Sequence, residues 1–471
     1  MTINKFLAEQ VRKNFGFEPT SEQASAIEQI SDFLFYKATD SLFLLKGYAG
    51  TGKSSLIGAL VKTMTQLDQK TVLIAPTGRA AKVFASYSGH AAYTIHKKIY
   101  RQKRFSDDPV DFVPMDNLHK DTLFIVDEAS MISNDGIDSF SFGSGRVLDD
   151  LIHYVYGGEN CRLLLIGDEA QLPPVMQEYS PALQIDILKG FGLELLTTTL
   201  TQIVRQAEDS GILYNATKIR NILLEQKTDL FPKLELNGFK DIKKVSGEEL
   251  IDEISAAYDR DGIESTMIIS RSNKRSNIYN NGVRNRILYR EDELATGDML
   301  MITRNNYFWT ENIEQVDFLA NGELLEVIRV RKTQELYGFR FCDVLVKHPD
   351  YEIELELKIL LDTLHSETTG LSKERNSELF YNILEDYSDI STKAGKMKKM
   401  KTDPFYNALQ VKYGYAVTCH KAQGGEWKNI FLDVGYITEE HLGINFYRWL
   451  YTAITRASNQ LYFVNLPDEF S

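Results

Sequence analysis

At 471 residues the chain is too long for one ordinary hydrophobic core and calls for roughly two to four domains. Hydrophobic residues make up 43% and charged residues 25%, the balance of a globular protein, and no run approaches the roughly eighteen apolar residues that cross a bilayer. A net charge of −13 argues against a protein that coats nucleic acid by bulk electrostatics, but not against one that grips a strand in a channel with local positive charge and stacking groups. The opening residues Met1 to Lys5 carry no signal-peptide apolar stretch. Three widely spaced cysteines, Cys161, Cys342 and Cys419, make neither a disulfide framework nor a zinc site, so a cytoplasmic location away from any membrane is expected.

In chain order, Ser41 to Lys46 is a short apolar run that stops at glycine, the pattern of a buried strand. Gly47-Tyr48-Ala49-Gly50-Thr51-Gly52-Lys53-Ser54 follows, and a helical pattern runs from Ser54 to Met64. This is the phosphate-binding loop G-x-x-x-x-G-K-S/T in its required place, between a strand and a helix. Gly47, Gly50 and Gly52 let backbone N–H groups wrap phosphates without Cβ clashes, and the helix adds its positive end. Lys53 is expected to bridge the β- and γ-phosphates of ATP and Ser54 to hold Mg²⁺, with Thr51 and Ser55 completing the nucleotide contacts.

Apolar runs recur at Thr71 to Ala75, Thr122 to Val126 and Arg162 to Ile166, with helical patterns between several of them. Alternation of this kind predicts an α/β fold with a parallel sheet covered on both faces. Asp127 and Glu128 end the third run, at the edge where open α/β sheets bind ligands. Asp127 is placed to reach Mg²⁺ through water, and Glu128 to polarise an attacking water. Between the second and third runs, Lys97 to Lys120 is rich in basic and aromatic residues and reads either as a solvated loop or as an inserted hairpin.

A second set of apolar runs, Thr266 to Ser270, Ala416 to Thr418, Asn429 to Val434 and Leu461 to Val464, predicts a second α/β lobe, with helical patterns at Ser276 to Tyr289 and Tyr447 to Arg456. Residues 298–402 differ. Short β-like pieces (Met299 to Thr303, Glu323 to Val330, Arg340 to Lys347) give way to a charged helical arm ending in Lys393, Lys396, Lys398, Lys399 and Lys401. The expected division is a P-loop lobe over 1–200 with 97–120 inserted, a second lobe over 201–297 and 403–471, and a barrel-like insertion with its arm over 298–402.

Taken together, the motifs resemble those of superfamily 1 helicases, particularly the RecD-like and Dda-like branch that moves 5′ to 3′. Gln23, in Pro19-Thr20-Ser21-Glu22-Gln23, resembles the glutamine that reads adenine. Ala75 to Lys82 and Thr94-Ile95-His96 resemble DNA-contacting motifs. Asp127-Glu128-Ala129-Ser130-Met131 has the form of the Walker B segment, and Gly167 to Pro174 that of the motif coupling nucleotide to DNA. Arg205 matches a γ-phosphate arginine. Tyr415 to Gly424 is similar to the motif between strand and nucleotide, and Tyr451 to Ala457 to the last motif, whose arginine, here Arg456, acts as a finger. Thr94-Ile95-His96 alone would turn up in many proteins; the ordered series is what chance does not produce.

The resemblance implies two RecA-like P-loop lobes, a small pin hairpin within 97–120 and an SH3-like barrel that opens near Asn321-Gly322-Glu323. It implies catalytic roles for Lys53, Glu128, Gln171, Arg205 and Arg456, and a nucleotide contact at Gly424. It places Thr77, Thr94, His96, Thr418, His420 and Lys421 against DNA. Single-stranded DNA and duplex junctions are the implied partners, in repair or recombination, with no protein partner indicated. Trp427 reads either as a base-stacking residue or as a core tryptophan. Other readings are a motor subunit of a larger nuclease, an RNA helicase, or a P-loop ATPase that never translocates.

Overall fold

The computed structural model describes residues 2–470 apart from 37, 39, 103–111, 137–142, 205–208, 312, 314, 315, 317 and 350. Strands that are apolar at every position need cover on both faces, and the first sheet has it. Its six parallel strands run in the order Ala92–Thr94, Lys70–Ala75, Thr122–Val126, Arg162–Gly167, Ser41–Gly47, Glu194–Leu200. Along the P-loop strand, Leu42 and Leu44 enter one core, shared with helix Val147–Tyr156. Phe43 and Leu45 enter the opposite core, beneath helices Ile3–Phe15, Ser21–Leu34 and Lys53–Gln66. This two-residue alternation is what a strand gives, and all four side chains are fully buried. Strand Arg162–Gly167 lies between the P-loop strand and Thr122–Val126, so Gly47, Asp127 and Asp168 emerge side by side at one edge.

The second sheet has parallel strands in the order Ala416–Thr418, Thr266–Ser270, Trp427–Asp433, Ala457–Val464, Ile242–Val245. Its last strand, Ile-Lys-Lys-Val, was not expected, because only its two ends are buried. The insertion is a closed barrel of Met299–Ile302, Leu324–Leu336, Phe339–His348, Ile353–Leu360 and Leu409–Tyr413. Two of these strands depart from the sequence reading. Ile353–Leu360 was read as the start of the charged arm, since Glu354, Glu356 and Lys358 alternate with apolar residues over too short a stretch to stand out. Leu409–Tyr413 closes the barrel from beyond residue 402. The arm itself is two helices, Lys373–Glu385 and Lys393–Lys401. In the insertion of the first lobe, Tyr100–Gln102 pairs antiparallel with Phe112–Pro114, so a hairpin base is present; the tip from 103 to 111 lies outside the described residues.

The barrel is rooted in the second lobe by a buried ion cluster. Asp298, fully buried, accepts from Arg284 Nε and Nη2 and from Arg290 Nη1, each at 2.9 Å, and from the Tyr415 hydroxyl at 3.0 Å. Tyr415 immediately precedes strand Ala416–Thr418, and Asp298 immediately precedes the first barrel strand, so the cluster fixes one against the other. On the far side, the turn at Asn321–Gly322 packs on the first lobe: a Cβ at Gly78 would lie 2.7 Å from Ala320 Cβ and 2.8 Å from Glu323 Oε1. Asp298→Ala leaves the buried Arg284 guanidinium without its counter-charge and is expected to cost about 3–5 kcal/mol. A clear drop in the midpoint of denaturant unfolding checks it.

Candidate functional site

The loop between the first strand and its helix is shaped for an anion. Gly50 and Gly52 stand at φ of 75° and 78°, and a Cβ at Gly47 would come within 3.0 Å of the Lys53 side chain and Thr51 Oγ1. Lys53 Nζ donates to the Tyr48 carbonyl at 2.9 Å, and Thr51 Oγ1 donates to the same oxygen at 2.7 Å. Gln23, almost fully buried, accepts from the Thr20 N–H and donates through Nε2 to the Thr51 carbonyl, both at 2.9 Å. The residue expected to read adenine is therefore bonded to the loop itself.

Asp127 and Glu128 follow their strand as expected, with Glu128 in the left-handed region at φ 51°. The Tyr87 hydroxyl donates to Asp127 Oδ2 at 2.6 Å and also bonds the Ser54 side chain. The two residues read as metal ligands thus share one tyrosine hydroxyl as a hydrogen-bond partner. Burial pushes the Glu128 carboxyl above the usual carboxylate range, against the pull of Arg456 and Lys53. Arg456 Nη1 lies 3.8 Å from Glu128 Oε1; the guanidinium donates through Nε to the Thr452 carbonyl and through Nη1 to the Gly425 carbonyl, each at 3.1 Å. Gln171 is buried, and its Oε1 has no hydrogen-bond partner among the described residues, an acceptor free for a bound water or nucleotide group. Arg205 lies outside the described residues.

The second lobe reaches this site through a tyrosine. Tyr451 accepts from the Ala49 N–H of the loop at 2.8 Å and donates to Asp168 Oδ2 at 2.7 Å. Burial raises the Asp168 carboxyl, which Lys53, the Tyr451 hydroxyl and the Ala170 N–H pull back. Next to it, Leu172 donates its N–H to Thr452 Oγ1 at 2.9 Å, and Gln423 Nε2 donates to the Leu172 carbonyl at 2.8 Å. Nucleotide loop, coupling segment and second lobe form one hydrogen-bonded chain.

All six residues read as DNA contacts, Thr77, Thr94, His96, Thr418, His420 and Lys421, line a single cleft of about 1730 Å³ bounded by both lobes and the barrel. Thr77 and Thr94 cap short helices, accepting from Ala80 N at 3.2 Å and Lys97 N at 3.1 Å. Burial pushes His96 down to about 4, so it is neutral at pH 7 and faces the cleft as a ring and a hydrogen-bonding group rather than a cation. Lys421 Nζ is buried with no hydrogen-bond partner among the described residues, and burial brings it down to about 8, which leaves it mostly charged at pH 7.

Placement decides one open reading and locates one expected nucleotide contact. Trp427 is 2% exposed, and the Arg79 guanidinium covers its ring at 3.7 Å, so it is a core residue clasped by the other lobe and not a base-stacking platform. Gly424, expected beside the nucleotide, lies against helix Gly78–Ser88 of the first lobe: at φ 70°, a Cβ there would meet Ala80 Cβ at 2.8 Å and Thr77 Oγ1 at 3.2 Å. Motif reading passed over four further residues that the geometry brings in. Arg79, Asp168 and Tyr451 sit inside the quoted motifs without an assigned role; Tyr87 carries no local signal.

Fold and site define a P-loop nucleotide-binding protein of two lobes, with a separate cleft lined by residues of both lobes and the barrel. Residues 18–221 match the family described as an AAA domain, and residues 413–464 the UvrD-like helicase C-terminal domain. The chain is similar to the ATP-dependent RecD2 DNA helicase of Deinococcus radiodurans, at 26% identity over 459 residues, 94% of this chain and 48% of that protein; it spans about half the relative's length. It is also similar to the ATP-dependent DNA helicase dda of Enterobacteria phage T4, at 21% identity, covering 89% of this chain and 93% of that one. Among solved structures, a Pif1 helicase from Bacteroides in complex with ADP-AlF3 and ssDNA aligns over 96% of this chain and 94% of that one, at 15% identity and a TM-score of 0.46. The chain thus carries an AAA domain and a UvrD-like helicase C-terminal domain and is similar to RecD-like and Dda-like helicases.

Tyr451→Phe removes one hydroxyl that serves two partners, the part-buried Ala49 N–H and the buried Asp168 carboxyl. Leaving them unmet is expected to lower unfolding free energy by about 1–3 kcal/mol, measured by denaturant titration. A variant as stable as the parent would show that the lobe contact does not depend on this hydroxyl.

Proposed function

We propose that the chain is an ATP-driven motor that moves along single-stranded DNA from 5′ to 3′ and unwinds duplexes at junctions. The observation that carries this reading is that the six residues read as DNA contacts, from both lobes, share one cleft, and that Gln423 on the cleft wall is joined to the phosphate loop through Leu172, Thr452, Tyr451 and Asp168. Lys53 and the loop N–H groups would bind the ATP phosphates. Ser54 and Asp127 would hold Mg²⁺, whose charge would offset that of the β- and γ-phosphates. Glu128 accepts a proton from the attacking water. Arg456, and Arg205 by resemblance, bring positive charge to the γ-phosphate across the cleft between lobes, which favours the transition state and draws the lobes together. Loss of that attraction after hydrolysis lets the lobes part, and surfaces that grip the strand alternately then advance along it. The hairpin at Tyr100–Gln102 and Phe112–Pro114 is placed by resemblance as the pin that parts the duplex.

The direction rests on the resemblance to the RecD-like and Dda-like branch, and the DNA substrate on the names of the relatives. Three cysteines that are free and buried in the structure suit a reducing cytoplasm.

Strand displacement on duplexes carrying a 5′ or a 3′ tail tests the proposal. Displacement from the 5′-tailed duplex, with little from the 3′-tailed one, is the expected result; the reverse preference overturns the direction, and absence of displacement from either overturns the motor. Glu128→Gln should still bind ATP while losing about a hundred- to ten-thousand-fold in turnover, because an amide cannot take the water's proton. Loss of ATP binding together with turnover would make Glu128 a structural residue instead.

A further inference from the structure

The helical arm that follows the barrel belongs to none of the motifs, yet it lies along the strand cleft. Its two helices, Lys373–Glu385 and Lys393–Lys401, are pinned to the barrel by an apolar face in which Ile383 and Met400 are fully buried with Phe339 and Phe341. Lys396, Lys398 and Lys401 of the second helix line the same cleft as Thr77, His96 and His420. None of these three lysines has an ion-pair partner among the described residues, and helix Lys393–Lys401 contains no acidic residue.

Such a helix works against itself. Five of its nine residues are lysines, at spacings that include i,i+3, where like charges repel. In a chain of net charge −13, uncompensated positive charge gathered on one wall of a cleft is a local exception and matches a polyanion lying in that cleft. Tyr381, on the preceding helix, also lines the cleft; it is 63% exposed and meets Phe380 edge to face. Lysines tracking a backbone beside an exposed aromatic ring are the combination that holds single strands without reading their sequence.

We propose that the arm, residues 371–402, is a fourth wall of the strand cleft, in which Lys396, Lys398 and Lys401 take backbone phosphates and Tyr381 stacks on a base. This rests on the reading that the cleft holds single-stranded DNA. The geometry gives the arm a role in grip, separate from hydrolysis, because among the described residues no hydrogen bond or ion pair joins it to the nucleotide site.

The test is binding of a fluorescent oligo-dT to the full chain across a salt series, without nucleotide. Replacing all three, Lys396→Gln, Lys398→Gln and Lys401→Gln, should weaken binding and flatten the log–log salt slope by roughly 0.7 per lost contact, about 2 in total. Tyr381→Ala should weaken binding roughly 5- to 100-fold with the slope unchanged, since stacking releases no counterions. Lys399→Gln, exposed on the same helix but away from the cleft, should leave both unchanged, and all variants should melt like the parent. If the parent binds with a steep slope and the triple variant keeps the same affinity and slope, the arm is not part of the grip and the strand-cleft reading stands. If the parent itself does not bind, the strand-cleft reading falls and this proposal with it.

Discussion

One phenolic oxygen holds the arrangement together. Tyr451, on a helix of the second lobe, takes the Ala49 N–H of the phosphate loop and gives its proton to the buried carboxylate of Asp168. In a site this dry, neither partner can be left unmet without a sizeable cost, so the lobes are bound to one another at the place where phosphate arrives. A phosphate that took the Ala49 N–H would compete with Tyr451 for it, and the freed hydroxyl would remain on Asp168. Nucleotide occupancy and lobe position would then depend on the same few hydrogen bonds.

The strand side is built on the same principle of contact across lobes. Arg79 of the first lobe covers Trp427 of the second, and Gly424 of the second nests against Thr77 and Ala80 of the first. These contacts lie beside the residues expected to touch DNA, so movement of one lobe shifts the positions of Thr77 and Thr418 relative to each other. The buried cluster around Asp298 makes the barrel move with the second lobe, while the turn before its second strand rests on Gly78 of the first. A strand held among three surfaces of this kind would be gripped differently in each lobe position.

Much of this was legible in the sequence where chemistry is local. The phosphate loop announces itself because glycine spacing, lysine and flanking strand must be contiguous, and Asp127 and Glu128 because they end an apolar run. What stayed hidden depends on partners far along the chain. Trp427 could be read two ways until Arg79, nearly 350 residues earlier, was seen to cover it. Gly424 ends a motif associated with nucleotide, but its position is decided by how closely the turn after helix Cys419–Ala422 approaches helix Gly78–Ser88. Tyr87 has no signal at all: its hydroxyl matters only because the helix packing brings it onto Asp127. The strand Ile353–Leu360 was missed because its exposed face carries charges that, read alone, suit a helix equally well.

The central claim is that the strand cleft and the nucleotide site are one device. The most direct measurement is the steady-state rate of ATP hydrolysis by the full chain with and without saturating single-stranded DNA. The account predicts a slow basal rate that rises many-fold when the strand is bound, because the strand brings the lobes into the position in which Arg456 and Glu128 act on the same phosphate. A rate that is the same with and without DNA, under conditions where the DNA is shown to bind, would contradict it.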